Sequence, residues 1–284
     1  RALVLERIGA LQPVGRRQLA ARLNLPEREV RTVATLLKKH GLITLDAAGM
    51  CLTPAAESTL PMARRFSREL KGLTRLETAL TERLGVDKVC VAAGNADTDP
   101  HVLGEVGRVA GMRLRGFLQT GSTLAVTGGS TIREVAFAVP QGTPMNVMVV
   151  PARGGMGGAL ETQANTLACE IARRLGGHHR MMHLPDHLDE QALQEMRKLT
   201  EIDETLALLE RADVVLHGIG RADDMTQRRQ LPGPVSAEVL RKGAVAEAYG
   251  CYFDARGRLV YSASTVAHNL GALKPDCAMI AVAA

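Results

Sequence analysis

The texture of the chain changes at Gly85, and that change limits the folds open to it. Beyond Gly85, short apolar runs of strand length alternate with amphipathic helical stretches. Lys88–Ala93, Leu124–Thr127, Val147–Val150, Met181–Leu184, Val214–Leu216 and Ala278–Val282 read as strands. Val102–Leu118, Thr131–Ala138, Leu160–Leu175 and Ser236–Lys242 read as helices between them. Such alternation predicts an α/β body, a doubly wound sheet that takes ligands at the carboxyl ends of its strands. Ahead of Gly85 the pattern is mostly helical. The 284 residues suffice for a small domain and one of about 200 residues, each with its own core.

Charge follows the same division. Through residue 75 there are 14 Lys/Arg against 6 Asp/Glu, a net +8, while the remainder holds 21 basic and 24 acidic groups, a net −3. A small cationic head on a mildly acidic body is what a phosphate backbone attracts through counterion release. Trp is absent and aromatic residues make up 2% of the chain, which argues against stacking on single-stranded nucleic acid. Cys51, Cys90, Cys169, Cys251 and Cys277 are odd in number and scattered, with no CxxC pair, as expected of thiols in a reducing compartment. No run reaches the roughly 18–20 apolar residues of a membrane span, and Arg1–Leu11 lacks a signal-peptide cleavage pattern. A cytoplasmic protein without membrane partners is predicted.

Within the head, Leu3, Leu5, Ile8 and Leu11 give Ala2–Leu11 an apolar face, and Pro13 and Gly15 end it. A second helix runs to Leu23, Asn24-Leu25-Pro26 turns, and a third helix spans Glu27–His40 up to a Gly41 cap. Leu42–Leu45 and Met50–Thr53 flank a turn at Asp46–Gly49, a short β-hairpin. Three helices and a hairpin describe a winged helix-turn-helix over residues 1–53, with the third helix in the major groove of double-stranded operator DNA. Arg28, Arg31, Thr32 and Thr35 are the candidates to reach bases, and Arg16, Arg17, Lys38 and Lys39 to hold phosphates. The other reading of the same face is a basic protein-interaction module.

Residues 54–84 form a linker, one long helix or two meeting near Pro61. Leu60, Ala63, Phe66, Leu70, Leu73, Leu76, Leu80 and Leu84 recur along it, either as a dimer-forming stripe or as a face packed on the chain's own body. Residues 85–284 form the body, and three of its expected strands end in glycine loops. Thr127-Gly128-Gly129-Ser130-Thr131 opens a helix, whose N-terminal N–H groups and hydroxyls suit an anion. Arg153-Gly154-Gly155 places a guanidinium at a second strand end, and His217-Gly218-Ile219-Gly220 is a third glycine-lined edge. Together they point to a phosphorylated small molecule. Neither a Walker loop nor a dinucleotide fingerprint is present. Gln163 and Asn165 could bond sugar hydroxyls or simply cap a helix. Gln227-Arg228-Arg229 adds guanidinium groups and Glu247 an acceptor. The eight histidines form no ligand cluster, so no metal is expected.

Thr127–Ile132, Val150–Gly155, Gln163–Thr166, His217–Gly220 and Ala246–Gly250, in this order, resemble the sugar-binding SorC/DeoR-type bacterial transcription repressors over nearly the whole chain. The resemblance implies a repressor of glycolytic genes, and a body related in fold to sugar-phosphate isomerases and glucosamine-phosphate deaminases. It implies fructose 1,6-bisphosphate or a related sugar phosphate as effector, no cofactor, and a homo-oligomer, dimer or dimer of dimers. By the same resemblance Gly128, Gly129, Ser130 and Thr131 hold one phosphate, Arg153 and Arg228 serve the other, and Gln163 and Glu247 meet the sugar hydroxyls. Gly154, Gly155, Gly218 and Gly220 line the same edge. In the family the chain continues past Ala284 with a glycine-serine stretch and a phosphate-contacting Lys, and Arg1 without a Met suggests residues ahead of it. The alternative function is a sugar-phosphate isomerase or deaminase with an appended head. Glu247 could serve there as acid/base, but no second group is arranged with it.

Overall fold

The computed structural model describes residues 1–155, 159–185, 188–262 and 273–284. It divides into two compact units, Arg1–Ala93 and Gly94–Ala284.

In the first unit α1 (Ala2–Leu11), α2 (Arg16–Leu23) and α3 (Glu27–Lys39) are followed by the antiparallel pair β1 (Ile43–Leu45) and β2 (Met50–Leu52). Asn24 ends α2 in the left-handed conformation (φ +49°), its N–H bonded to Ala20 and Ala21 carbonyls, and Pro26 precedes α3. Most of the expected faces are buried: Leu5 and Ile8 of α1, Leu19 of α2, and Val30, Ala34 and Leu37 of α3 close on Ile43 and Met50, while on α1 Val4 is buried and Leu3 and Leu11 are only half-buried. The hairpin turn is tied by the Asp46 carboxylate, which accepts from Ala48 and Gly49 N–H at 2.8 and 3.0 Å.

Thr53 caps α4 (Pro54–Leu70), which Lys71–Gly72 separates from α5 (Leu73–Leu84). The break expected at Pro61 thus falls at Gly72, whose φ of +65° suits glycine. Pro61 stays inside α4, where burial of Ala56 and Leu60 offsets one missing hydrogen bond. Lys88–Ala93 is not a strand. Its backbone is taken by side chains of the two helices instead: Val89 N–H donates to Thr81 Oγ1 at 3.0 Å, Val91 N–H to Glu77 at 2.7 Å, and Arg68 to the Val91 carbonyl at 2.8 Å.

The second unit is a doubly wound α/β fold. α6 (Pro100–Phe117), β3 (Thr123–Val126), α7 (Ser130–Ala138), β4 (Met148–Pro151), α8 (Ala164–Leu175) and β5 (His178–His179) lead to α9 (Glu190–Met196), α10 (Thr200–Glu210) and β6 (Val214–Arg221). Strands β5-β4-β3-β6 pair in parallel, and β10 (Ala278–Ala283) adds in parallel to β6. Alternation along the strands supplies both cores. Leu124, Val126, Val149 and Leu216 meet α6, α7 and α8. Ala125, Val150 and Val215 meet Ile202, Leu206 and Leu209 of α10.

The stretch expected as one helix from Leu160 is a single 3-10 turn, Leu160–Thr162, and then α8, with Gln163 extended between them. Met181–Leu184 is not a strand either. The carboxamide of Asn165 takes over its pairing, accepting from Met182 N–H at 2.8 Å and donating to Met182 O at 3.1 Å. Beyond β6, α11 (Ala222–Arg228) and α12 (Gly233–Arg241) cover an antiparallel meander, β7 (Ala244–Ala248), β8 (Cys251–Asp254) and β9 (Leu259–Ser262), that extends from the end of β6. Among the described residues no helix is long and apolar enough to cross a membrane.

Candidate functional site

Two sites follow, one in each unit. On α3 the exposed face carries Arg28, Arg31, Thr32, Thr35, Lys38 and Lys39, opposite Val30, Ala34 and Leu37. Arg16 and Arg17 are exposed at the start of α2. Glu27 ties two of these cations together: Arg31 Nη2 lies 3.1 Å and Arg17 Nε 3.4 Å from its carboxylate. The bond from Arg31, with Arg17 beside it, holds the Glu27 carboxyl below the usual carboxylate range. Arg16, Arg28, Lys38 and Lys39 have no ion pair among the described residues. Thr32 and Thr35 donate to the carbonyls of Arg28 and Arg31 at 3.0 and 2.9 Å, so each hydroxyl has an acceptor within the helix and keeps its oxygen lone pairs for a donor. With Glu27 at the head of the helix and Lys38 and Lys39 at its end, α3 also matches its own dipole.

In the second unit, parallel pairing brings the loops after β3 and β4 to one edge of the sheet. His217–Gly220, expected as a third glycine loop after Leu216, are instead strand and carry β6 on to Arg221, paired by β10 and β7. Val126 O accepts from Ala152 N–H at 2.7 Å, and Leu216 O from Thr127 N–H at 3.0 Å, which ties the ends of β3 and β4 in register against the middle of β6. The two glycines after β3 have different duties. A Cβ on Gly128 would stand 2.5 Å from Thr162 O, so this residue is small because the turn before α8 packs on it. Gly129 has φ +121° and open space where its Cβ would be, presenting bare backbone at the head of α7. Arg228 Nη1 donates to Ser130 Oγ at 3.3 Å while Asp224 holds its Nε at 2.8 Å. The structure therefore places Arg228 with the hydroxyl of the glycine loop. Thr131 follows in the first turn of the same helix.

Arg153, after β4, is in a different setting. It is 3% exposed and faces the buried carboxylate of Glu247, with Nη1 at 3.5 Å from Oε1. The same oxygen accepts from Arg229 Nη2 at 2.7 Å and from Gly250 N–H at 2.5 Å. Gly154 and Gly155 run close under Leu184 and Pro185; a Cβ on Gly154 would lie 2.5 Å from Pro185 O, and Gly155 N–H donates to Leu184 O at 2.8 Å. Gly220 faces Glu247 across β6 and β7 and leaves room for Met225, whereas Gly218 has only ordinary contacts. Gln163 is extended at the N-cap of α8. Asn165 uses both ends of its amide on the Met182 backbone, a structural role the sequence did not assign it.

Four buried residues surround this cluster; the sequence named His217 and Arg229 only within their motifs and gave no role to Tyr249 or Tyr252. His217 stacks edge-on to Tyr249 with ring centroids 5.2 Å apart, and burial pushes its imidazole down, toward the neutral form. Tyr252 stands opposite Glu247 on β8. Among the described residues the buried hydroxyls of Tyr249 and Tyr252 have no hydrogen-bond partner, and burial raises both phenols, Tyr252 to about 12. The fourth is Arg229, read in the sequence as a guanidinium alongside Arg228 and found buried. Among the described residues no group of three His, Cys, Asp or Glu side chains is arranged to hold a metal ion.

Comparison with known proteins gives the same division. Residues 1–65 match the family model described as "CggR N-terminal DNA binding domain", and residues 68–284 match that described as "Putative sugar-binding domain". The chain is 38% identical to the central glycolytic genes regulator of Priestia megaterium, over 99% of this chain and 82% of that one. It is 33% identical to the protein of the same name from Bacillus subtilis, over 99% and 83%. A crystal structure of the putative SorC family transcriptional regulator from Enterococcus faecalis aligns with TM-score 0.67 at 32% identity, covering 74% of this chain and 86% of that one. The full-length sorbitol operon regulator SorC from Klebsiella pneumoniae shares the fold, with TM-score 0.64 at 16% identity over 93% and 82% of the two chains. These relatives are regulators and not enzymes. With a DNA-binding domain at its head and the sugar-binding domain matched over most of its length, the chain belongs to the SorC/DeoR-type family of sugar-binding transcriptional regulators.

Proposed function

We propose that this chain is a cytoplasmic repressor of glycolytic genes that binds operator DNA through α3 and is released by a sugar bisphosphate, fructose 1,6-bisphosphate. The observation that carries the effector is the pair of cationic positions at one sheet edge. Arg228 stands with Ser130 at the open head of α7, and Arg153 is buried beside Glu247 at the end of the adjoining strand. A phosphate at the first meets backbone N–H groups, a hydroxyl and a guanidinium. A second phosphate turns to Arg153, and Glu247 and Gln163 accept from or donate to the hydroxyls between.

The head binds duplex DNA by phosphate contacts from Arg16, Arg17, Lys38 and Lys39, and reads bases with Arg28, Arg31, Thr32 and Thr35. Operator symmetry calls for a homo-oligomer, and the exposed Met62, Phe66 and Leu70 of α4 offer the apolar surface for one. The test is calorimetric titration with fructose 1,6-bisphosphate, fructose 6-phosphate and glucose 6-phosphate, with operator affinity measured in parallel. The bisphosphate should bind at least tenfold more tightly than either monophosphate and weaken operator binding. Equal affinity for all three, or an operator affinity blind to saturating bisphosphate, refutes the assignment.

A further inference from the structure

The turn between α2 and α3 brings two arginines to one carboxylate. Glu27 is the first residue of α3; its Oε1 accepts from Arg31 Nη2 at 3.1 Å, and its Oε2 lies 3.4 Å from Arg17 Nε. Arg31 stands one turn further along the same helix, whereas Arg17 belongs to α2. With one oxygen engaged from each side, the carboxylate is fixed in direction and ties the two helices of the helix-turn-helix together.

Electrostatics alone does not account for this carboxylate. On a face offered to DNA it repels phosphate, and it occupies two of the cations that would otherwise displace counterions. An exposed ion pair of this spacing adds little to stability, so holding the fold together is not its main effect either. What it changes is the freedom of Arg31. A long, flexible side chain is drawn back toward the start of α3, the part of a recognition helix that meets base edges. Arg31 has given one N–H to Glu27, and its remaining donors suffice for the two-pronged contact with O6 and N7 of guanine. Arg28 has no such tie among the described residues, and the hairpin from Ile43 to Leu52 contains neither Lys nor Arg, which leaves the reading of bases to α3.

We propose that Glu27 is a positioning residue that sets the sequence specificity of the head: it aims Arg31 at a guanine in the major groove and withholds it from the neighbouring phosphates. Freed from Glu27, Arg31 swings to a phosphate, and the head binds DNA more tightly but reads it less well. This rests on the reading of Arg31 as a base contact and adds what aims it.

The test uses the full-length protein and two readouts. In selection from a random-sequence duplex library, the parent should return a guanine at one position of its site, and Glu27→Ala any base there. In fluorescence anisotropy, Glu27→Ala should bind a scrambled duplex more tightly than the parent does and with a steeper dependence on salt. Its preference for the selected duplex should fall at least about fivefold, the low end of one arginine–guanine contact. Glu29→Ala removes the same charge from the same first turn, but Glu29 has no ion pair among the described residues, so the preference should stay. In an Arg31→Ala background, Glu27→Ala should cost no further preference. Preference lost equally in Glu27→Ala and Glu29→Ala, or by the same factor with and without Arg31, overturns the proposal. So does affinity that falls alike for both duplexes with a lower melting temperature, the mark of a merely structural Glu27. Arg31→Ala with unchanged preference would instead remove the base-contact reading itself, and this inference with it.

Discussion

Substituting Gly128 by alanine tests whether the loop after β3 is held by packing or only by sequence preference. The new Cβ would lie 2.5 Å from Thr162 O and 3.2 Å from Ala164 N, both backbone atoms that cannot rotate away. The loop and the turn before α8 must part by about 0.5 Å before the contact becomes tolerable. Thr162 O also accepts the Gly129 N–H at 2.9 Å, so the same movement strains that bond. Overpacking costs roughly 1–3 kcal/mol, and a lost hydrogen bond adds about 1 kcal/mol. Differential scanning calorimetry should show the sugar-binding unit melting roughly 5–15 °C lower. Displacement of this size also mis-aims the N–H groups at the head of α7, so bisphosphate affinity should fall at least tenfold, while the head, a separate compact unit, keeps its DNA affinity. Gly218→Ala is the control, because its nearest neighbours are 3.8 and 3.9 Å away and its φ is ordinary; it should melt with the parent. Equal melting and equal bisphosphate affinity for Gly128→Ala and the parent would refute the packing argument.

Replacing both Lys38 and Lys39 by Ala should weaken binding to all duplex sequences alike and flatten the dependence on salt, as fluorescence anisotropy across a salt series will show. Arg28→Ala should instead narrow the gap between operator and random DNA, and an unchanged ratio counts against base contact. Tyr252→Phe removes a buried hydroxyl that has no partner among the described residues, so the ligand-free protein should be unchanged or up to about 1 kcal/mol more stable in urea denaturation. His217 is pushed down by burial, so the native state disfavours its protonation; stability is full above the unfolded value and declines as pH falls through about 6.5. Comparing urea midpoints at pH 7.5 and 5.5, the drop should shrink in His217→Gln.

The head was legible because each of its signals is local. Apolar spacing fixed the buried faces of α1 to α3, Asn24-Leu25-Pro26 and Gly41 marked their ends, and Asp46–Gly49 marked the hairpin. The strands β3, β4 and β10 were equally plain, being apolar runs between helices, whereas β6 was read only to Leu216 because the glycines at 218 and 220 look like a turn and are in fact strand out to Arg221. What failed did so where side chains replace a ladder. Lys88–Ala93 and Met181–Leu184 have strand-like composition, but Glu77, Thr81 and Asn165 take their backbone groups, and no periodicity reports that. The meander was missed for another reason. Ala244–Ala248 is alanine-rich, and its turn places Tyr249 at φ +58° ahead of Gly250 at φ +84°, where a tyrosine gives none of the usual Asn-Gly signal. Of the candidate site, Ser130, Thr131, Arg153 and Glu247 were readable from their motifs. The division of labour between Arg228 and Arg229 was not, because it depends on which way two adjacent side chains leave a short helix.

The packing of α6 on α7 has a mechanical consequence. A Cβ on Gly107 would meet Glu134 O at 2.6 Å, and one on Gly111 would meet Ala138 O at 3.0 Å, so the two helices touch backbone to backbone. The numbers advance together, 107 against 134 and 111 against 138, so the helices run in the same direction and their first turns lie at the same end. With no side chain to act as a cushion, a shift of α7 at its Ser130 end should carry α6 with it, and a bulkier residue at Gly107 or Gly111 should part the two helices and disturb the glycine loop at their common end.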